Sequence, residues 1–174
     1  MHPHTAPKIV GSRDGKAGSL GSIGVRFMIG TEETHAGSFS LVEHPMPPRA
    51  LAAPLHRHSR EDEYSFVLEG RMGALLGDDV VYAEQGDLVH KPRNQWHTFW
   101  NAGEKRCRIL EIIAPGGFER YFDELVELGA AGPIGPEQVA PLAARYGLEL
   151  DFASIPALCE RFGLTFGAGS GQVS

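Results

Sequence analysis

Short segments that alternate apolar and polar residues fill the first two thirds of the chain, and Gly, Pro, Asn and Asp residues separate them. Such alternation is typical of β-strands with one buried face, because successive side chains point to opposite faces. Many short strands at close spacing indicate a sandwich or a barrel. The sequence predicts about nine of them, at residues 24–30, 37–44, 51–58, 64–68, 71–76, 80–83, 88–91, 96–100 and 105–114.

Several of these segments carry more specific signals. A cluster of three prolines at residues 45–48 interrupts the pattern, because proline cannot donate to a sheet ladder. Residues 64–68 are apolar on both faces, which predicts a strand buried between two sheets. Residues 77–79, with the sequence GDD, favour the turn of a hairpin. Near the end of the pattern, His97 and Phe99 are expected to share one face of a strand.

The hydrophobic period changes after Gly117. Apolar residues then fall at i, i+3, i+4 and i+7, the spacing of an amphipathic helix, at Phe118, Tyr121, Phe122 and Leu125. A second helix is predicted at 137–146, either beginning near Pro141 or kinked there. A third is predicted at 154–162, with Ser154 as its N-cap. We expect the helices to cover the barrel or a partner subunit, and a lid over the barrel mouth is the alternative.

A chain of 174 residues is long enough for one domain with a buried core and short extensions. The first segment is rich in Gly, Ser and Pro and includes His2 and His4, which we interpret as part of a flexible arm. The predicted division is an arm at 1–23, a β-barrel at 24–115, a helical extension at 116–166 and a mobile tail at 167–174.

Composition excludes several classes of function. The net charge of −6 and the pI of about 5.7 argue against a nucleic-acid-binding surface and against binding to anionic membranes. No signal peptide is apparent, and no apolar run approaches the roughly 20 residues of a membrane span. Cys107 and Cys159 do not form a C-x-x-C pair, so we expect free thiols and a cytoplasmic protein.

Three histidines and one glutamate form the strongest candidate site. His56 and His58 are two residues apart, so both imidazoles point to one face of a strand. Glu63 follows five residues later, and His97 lies downstream. Imidazoles combined with a carboxylate hold first-row transition metals, and the set contains no thiolate that would favour a structural zinc site. We therefore predict that these four residues bind one divalent metal ion.

The spacing of these residues extends to two longer motifs. Residues 56–70 read H-x-H-x4-E-x6-G, and residues 86–101 read G-x5-P-x4-H-x3-N. The pair closely resembles the two signature motifs of the cupin superfamily, which carries His56, His58, Glu63 and His97 onto the metal ligands of that family. One departure is Asn94, where the family usually has Gly; Asn tolerates positive φ, so the turn is expected to survive. The resemblance implies an all-β, double-stranded β-helix (a jelly roll) with the metal between its two sheets.

A finer resemblance points toward a reaction. The sequences EDEYSFVLEG, PGGFERYF and ARYGL are similar to those of small single-domain cupins grouped with quercetin 2,3-dioxygenase. This resemblance implies a dioxygenase in which O2 attacks a flavonol-like, aromatic or enol/diketone small molecule, with Glu63 as the catalytic base. Aromatic residues available for the wall of its pocket are Phe66, Trp96, Phe99 and Trp100. His44 is interpreted as a structural or surface residue.

Several questions stay open at this stage. Ligand type allows Fe, Mn, Ni, Co, Cu or Zn. A metal-dependent isomerase, lyase or hydrolase, with the ion as Lewis acid, is an alternative to the dioxygenase. A non-catalytic small-molecule-binding module is a further alternative. Family resemblance together with the Trp and Phe content suggests a homodimer.

Overall fold

The computed structural model describes residues 9–167. His2, His4 and residues 168–174, for which an arm and a tail are predicted, lie outside the described residues. Within them the chain forms two antiparallel sheets. The six-stranded sheet contains, in spatial order, β1 (Ala17–Ser19), β2 (Gly24–Ile29), β3 (Ser40–Met46), β10 (Cys107–Ala114), β5 (Asp62–Glu69) and β8 (Leu88–Lys91). The five-stranded sheet contains β11 (Leu148–Asp151), β4 (Leu55–His58), β9 (His97–Asn101), β6 (Arg71–Leu76) and β7 (Asp79–Glu84).

The strand alternation places one set of side chains between the two sheets. On β10, Cys107, Ile109, Glu111 and Ile113 are buried, while the residues between them are partly exposed. Apolar side chains of both sheets meet in the interior, and burying each of them stabilises the fold by roughly 1.5–3 kcal/mol. The architecture is the predicted double-stranded β-helix, with helices after the last barrel strand.

Three strand predictions were wrong in detail. β3 continues through Pro45, because β2 pairs with β3 no further than Glu43 and the proline lies where β3 has a neighbour on one side only. The predicted strand at 51–58 is shorter, since only Leu55–His58 forms β4. The segment 64–68 is not buried on both faces: Phe66 is 36% exposed because it lies on the uncovered outer face of its sheet.

Two strands were missed. β1 lies within the arm for which flexibility is predicted, and it pairs with β2. β11 follows a segment read as a helix end and pairs with β4 at the edge of the five-stranded sheet. Gly147, with φ of 70°, ends the preceding helix and lets the chain return as a strand. Both strands are short edge strands, for which alternation over three or four residues is a weak signal.

Three α-helices follow β10 within the described residues, close to the predicted bounds: α1 (Glu119–Ala130), α2 (Pro136–Arg145) and, after β11, α3 (Ser154–Phe162). α2 begins at Pro136 and includes Pro141, which settles the alternative left open for its start. Ser154 does not cap α3; its hydroxyl instead accepts a hydrogen bond from the Leu55 amide at 2.9 Å and donates to the Asp151 carbonyl. That pair of bonds fastens α3 to β4. Among the described residues, no helix combines the length and apolar character needed to cross a bilayer.

Candidate metal centre

The four predicted ligands converge from both sheets. His56 and His58 lie on β4, His97 lies opposite His56 on the neighbouring β9, and Glu63 comes from β5 of the other sheet. One potential ligand atom from each residue lies within 4.8 Å of all the others, and all four side chains are buried. The spacing of the histidines and the fold of the two sheets therefore bring together the residues that the sequence selected.

Backbone hydrogen bonds set the orientation of two imidazoles. Nδ1 of His56 donates to the Pro54 carbonyl at 2.7 Å, and Nδ1 of His97 donates to the Gln95 carbonyl at 2.9 Å. In each ring Nε2 is therefore the unprotonated nitrogen, which is the form that binds metals. Burial lowers the pKa of both rings, and repulsion from the neighbouring imidazoles holds that of His56 well below its usual value. Both rings are neutral at neutral pH.

His58 has a different arrangement. Its Nε2 lies 3.5 Å from Oε1 of Glu63, and its Nδ1 lies 3.6 Å from Oε2 of Glu61. The second distance is too long for a hydrogen bond, and neither of those two atoms has another hydrogen-bond partner. Glu61 is buried beside His58 and was missed from the sequence, where only its place between His58 and Glu63 could have drawn attention to it. The Phe118 ring contacts the His58 ring edge-on at 4.4 Å.

Glu63 is held in its ionised form. Its Oε2 lies 3.0 Å from Nζ of Lys91 and 3.3 Å from Nε2 of His97. Burial alone would raise the pKa of Glu63, but the positive charge of Lys91 beside it helps to hold that pKa well below its usual value. The carboxylate is therefore available as a ligand or as a proton acceptor.

A buried polar network of Lys91, Glu111 and Ser65 adjoins Glu63, and the sequence analysis did not identify it. Nζ of Lys91 also lies 3.0 Å from Oε2 of Glu111, and the Ser65 hydroxyl donates to the same oxygen at 2.8 Å. Burial raises the pKa of Glu111 to about 7, against the lowering effect of Lys91. Lys91 stays protonated, since the two carboxylates raise its pKa even though burial lowers it. The available signal was a glutamate inside the apolar run ILEIIA.

The centre opens onto a cavity of about 900 Å³ with mainly apolar walls. Its walls come from the interior of both sheets, from α1 and from residues 18–23. Of the four aromatic residues considered for the pocket, Phe99 lines the cavity, whereas Phe66, Trp96 and Trp100 lie outside its lining. Trp100 instead stacks on Phe162 of α3 at 4.3 Å.

His44 corrects a further prediction. It was predicted to be structural or at the surface. Its side chain is buried and lines the cavity, so the surface alternative was wrong. Nδ1 of His44 donates to the Gly24 carbonyl at 3.0 Å, and its ring contacts Phe122 edge-on at 5.2 Å. Burial lowers the pKa of His44 to about 4, so the ring is neutral at pH 7.

The donor set fits one divalent transition metal. Three imidazoles and one carboxylate are buried together, and the rings of His56 and His97 present Nε2 toward the shared space. This nitrogen-rich set, without thiolates, suits Fe, Mn, Co, Ni, Cu or Zn and does not select among them. Four protein ligands leave a coordination position free on an ion that prefers five or six.

Comparison with known proteins agrees with this description. Residues 42–113 match the family model of the cupin domain. The polyketide cyclase RemF from Streptomyces resistomycificus superposes with a TM-score of 0.54 and is 29% identical, covering 63% of this chain and 80% of RemF. KdgF from Halomonas sp. superposes with a TM-score of 0.57 at 15% identity, covering 66% of this chain and 99% of KdgF, which shows a shared fold.

A curated sequence relative is described as oxidoreductase iacF from Pestalotiopsis fici. It is 40% identical over 48 residues, which is 27% of this chain. The match spans about a quarter of that relative, 24% of its length. None of these matches tests the finer resemblance to the quercetin 2,3-dioxygenase group, which stays a prediction. The cupin-domain match covers residues 42–113, and the solved structures share the fold that the two motifs predict.

Proposed function

We propose that this protein is a metal-dependent enzyme that acts on a bulky, enolisable aromatic small molecule, with dioxygenation as its first candidate reaction. One observation carries the proposal: a buried three-histidine, one-glutamate cluster opens into an apolar cavity of about 900 Å³. A cavity of that size takes a multi-ring molecule, and its apolar walls favour an aromatic one. The oxidoreductase relative is consistent with redox chemistry but covers too little of the chain to establish it.

The residues of the chain have separable roles in this proposal. A transition metal held by the cluster would polarise a substrate oxygen and, if redox-active, would support reaction with O2. Glu63, which is ionised and borders the cavity, would accept the proton of the substrate hydroxyl. Phe99 and Phe118 would pack against the rings of the substrate and exclude water from the site.

A second candidate function is a reaction without O2, in which the ion acts only as a Lewis acid. The similarity to RemF favours it, because RemF is described as a polyketide cyclase and is 29% identical over 80% of its length. Both candidates begin with removal of a proton from an enolisable substrate, so the same site serves either. They differ in whether the activated carbon of the substrate then forms a bond with O2 or with another atom of the same molecule.

Metal content is the first test. Wild-type protein purified without an affinity metal is expected to contain about one equivalent of a transition metal by elemental mass spectrometry, and His58→Ala is expected to lose it. His90→Ala is the matched control, because His90 is an exposed histidine of β8 that stacks on Tyr64 outside the cluster. A wild-type protein that binds no ion, even after reconstitution with several metals, would contradict the proposal.

Turnover with and without O2 separates the two candidates. The metal-loaded enzyme is incubated with flavonols, aromatic polyketides and β-diketones, and substrate loss and O2 uptake are followed together. Dioxygenation predicts one O2 consumed per substrate and no reaction under anaerobic conditions. Equal turnover in the absence of O2 would reject it in favour of the Lewis-acid reaction.

A further inference from the structure

One oxygen of Glu111 lacks a hydrogen-bond partner in the interior of the protein. Glu111 is 1% exposed, lies in the middle of β10 and lines the same cavity as the metal cluster. Both of its hydrogen-bond donors, the Ser65 hydroxyl and Nζ of Lys91, bind Oε2. Oε1 is buried and has no partner.

An unpaired carboxylate oxygen in an apolar interior is costly, so it calls for a cause such as a ligand, a bound water or a proton of its own. The ion pair with Lys91 does not explain Oε1, because that pair is made entirely through Oε2. Neither does packing, since the neighbouring inward residues of β10, Ile109 and Ile113, are apolar. Oε1 is therefore an acceptor without a partner, on a residue that lines a cavity with mainly apolar walls.

The position of Glu111 identifies what it would bind. Nζ of Lys91 lies 3.0 Å from Oε2 of Glu63 and 3.0 Å from Oε2 of Glu111, so a single ammonium group separates a cluster carboxylate from this acceptor. A molecule that reaches the cluster through one oxygen would carry its adjacent ring positions close to Glu111. Above its pKa of about 7, the Glu111 carboxylate accepts hydrogen bonds and donates none, so there it selects a hydroxyl group over an ether or a carbonyl.

We propose that Glu111 is a specificity-determining residue, whose Oε1 accepts a hydrogen bond from a second hydroxyl group of the substrate. The inference rests on the proposed function and narrows it: the substrate is a polyhydroxylated aromatic molecule, with one oxygen for the metal centre and another hydroxyl for Glu111. Sites built around a buried acceptor discriminate strongly against analogues that lack the matching donor.

Glu111→Gln provides an unusually direct test. Ser65 and Lys91 both donate to the Oε2 position, so the amide carbonyl of Gln is expected to occupy that position and its NH2 group to replace Oε1. The substitution thus converts an acceptor into a donor of nearly the same shape. Lys91 keeps Glu63 as an ionic partner, so the variant is expected to fold.

The probes are quercetin and its 3′,4′,5,7-tetramethyl ether, which keeps the 3-hydroxyl but turns every other hydroxyl into an acceptor. Affinities are measured by anaerobic calorimetry with the metal-loaded protein at pH 8, where Glu111 is ionised. We expect wild type to prefer quercetin, and Glu111→Gln to reduce the ratio of the two affinities at least tenfold. Because the bulk of the methyl groups acts equally in both proteins, the change in ratio reports the hydrogen bond.

Glu43→Gln is the matched control. Glu43 is a buried glutamate on the neighbouring strand β3, but it pairs with Arg26 and Arg108 and does not line the cavity. Its substitution is expected to leave the affinity ratio unchanged. Should Glu111→Gln not fold, Glu111→Met removes the carboxylate while Lys91 keeps Glu63 as its ionic partner, and the same reduction in ratio is expected from it.

The possible outcomes distinguish an error in the role of Glu111 from an error in the proposed function. An unchanged ratio in a folded, metal-loaded Glu111 variant would overturn the role of Glu111 and leave the proposed function standing. Weaker binding of both probes by the same factor would also overturn it, since that result indicates a structural role only. Failure of metal-loaded wild type to bind either probe would overturn the proposed substrate class and this inference with it.

Discussion

The two sheets face the same cavity but contribute opposite chemistry to it. The five-stranded sheet provides His56, His58 and His97, and at least two of these rings are neutral nitrogen donors. The six-stranded sheet provides Glu63, Lys91 and Glu111, a buried network of two carboxylates around one ammonium. The first wall presents nitrogen donors that suit a metal ion, and the second carries charge and an acceptor without a hydrogen-bond partner. The substrate is expected to lie between them.

The two walls also differ in how the chain assembles them. His56 and His58 are on one strand, and His97 is the direct partner of His56 across a single strand pair. The second wall, formed by Glu63, Lys91 and Glu111, is called the charged wall here, and it needs three strands in register. Lys91 of β8 lies opposite Glu63, and Glu111 of β10 lies opposite Ser65. A shift of one residue in either pair would turn these charges to the outer face. The charged wall is thus the more demanding part of the fold.

The largest loss of stability is expected from removing Lys91, the cation at the centre of the charged wall. Lys91→Met leaves Glu63 and Glu111 buried without their shared cation, and removing one partner of a buried ion pair costs about 3–5 kcal/mol. We expect that loss in the free energy of unfolding of the metal-free protein, measured by urea denaturation at pH 8. Arg71→Met is the control, because Arg71 pairs with Glu84 at the surface and such pairs contribute about 0–1 kcal/mol. A loss below 1 kcal/mol in Lys91→Met would contradict the view of Lys91 as the centre of this network.

The difference between the walls explains what could be predicted from the sequence. The histidine wall, formed by His56, His58 and His97, was predicted residue by residue. Two of its histidines are two residues apart in the sequence, and the motifs that contain all three are specific. Lys91 and Glu111 gave no such signal: each is an ordinary charged residue in a strand, and only the register of β8, β5 and β10 brings them together. The sequence left His44 as structural or at the surface for a similar reason, since alternation gives two faces of a strand without saying which one meets the cavity.

The order of the strands in the two sheets could not be predicted from the sequence pattern either. β10 pairs with both β3 and β5, which are distant from it in the chain, and no local pattern encodes that choice. The family resemblance, rather than periodicity, supplied the jelly roll. Periodicity did identify most elements, and it failed at β1 and β11, where only three or four residues alternate.

A second prediction concerns the effect of pH on stability through His44, which lies on β3 of the six-stranded sheet. The pKa of His44 is about 4 in the folded protein and near 6.5 when unfolded, because burial and the charge of Lys91 oppose its protonation. The unfolded chain therefore binds the extra proton first, and stability is lost as pH falls from 6.5 to 4, by about 3 kcal/mol. His44→Gln, whose amide can still donate to the Gly24 carbonyl, is expected to lose less stability over that range by about this amount. Parallel stability curves for wild type and variant, from urea denaturation at each pH, would contradict the prediction.

The smallest predicted effect is a change in metal affinity, which tests what orients the His58 ring. His56 and His97 donate Nδ1–H to backbone carbonyls, whereas Nδ1 of His58 faces only the Glu61 carboxylate, at 3.6 Å. If a small shift on metal binding closes that gap, Glu61 fixes the ring and strengthens it as a ligand, a type of contact whose loss typically lowers metal affinity 10–100-fold. Glu61→Gln is therefore expected to weaken metal binding by about that factor in a chelator competition assay and to leave the other two histidines in place. Glu69→Gln, at the exposed end of β5, is the control, since Glu69 pairs with Arg106 at the surface. Equal metal affinity in Glu61→Gln and wild type would show that His58 is oriented by its packing against Phe118 instead, and that Glu61 is buried beside the site without serving it.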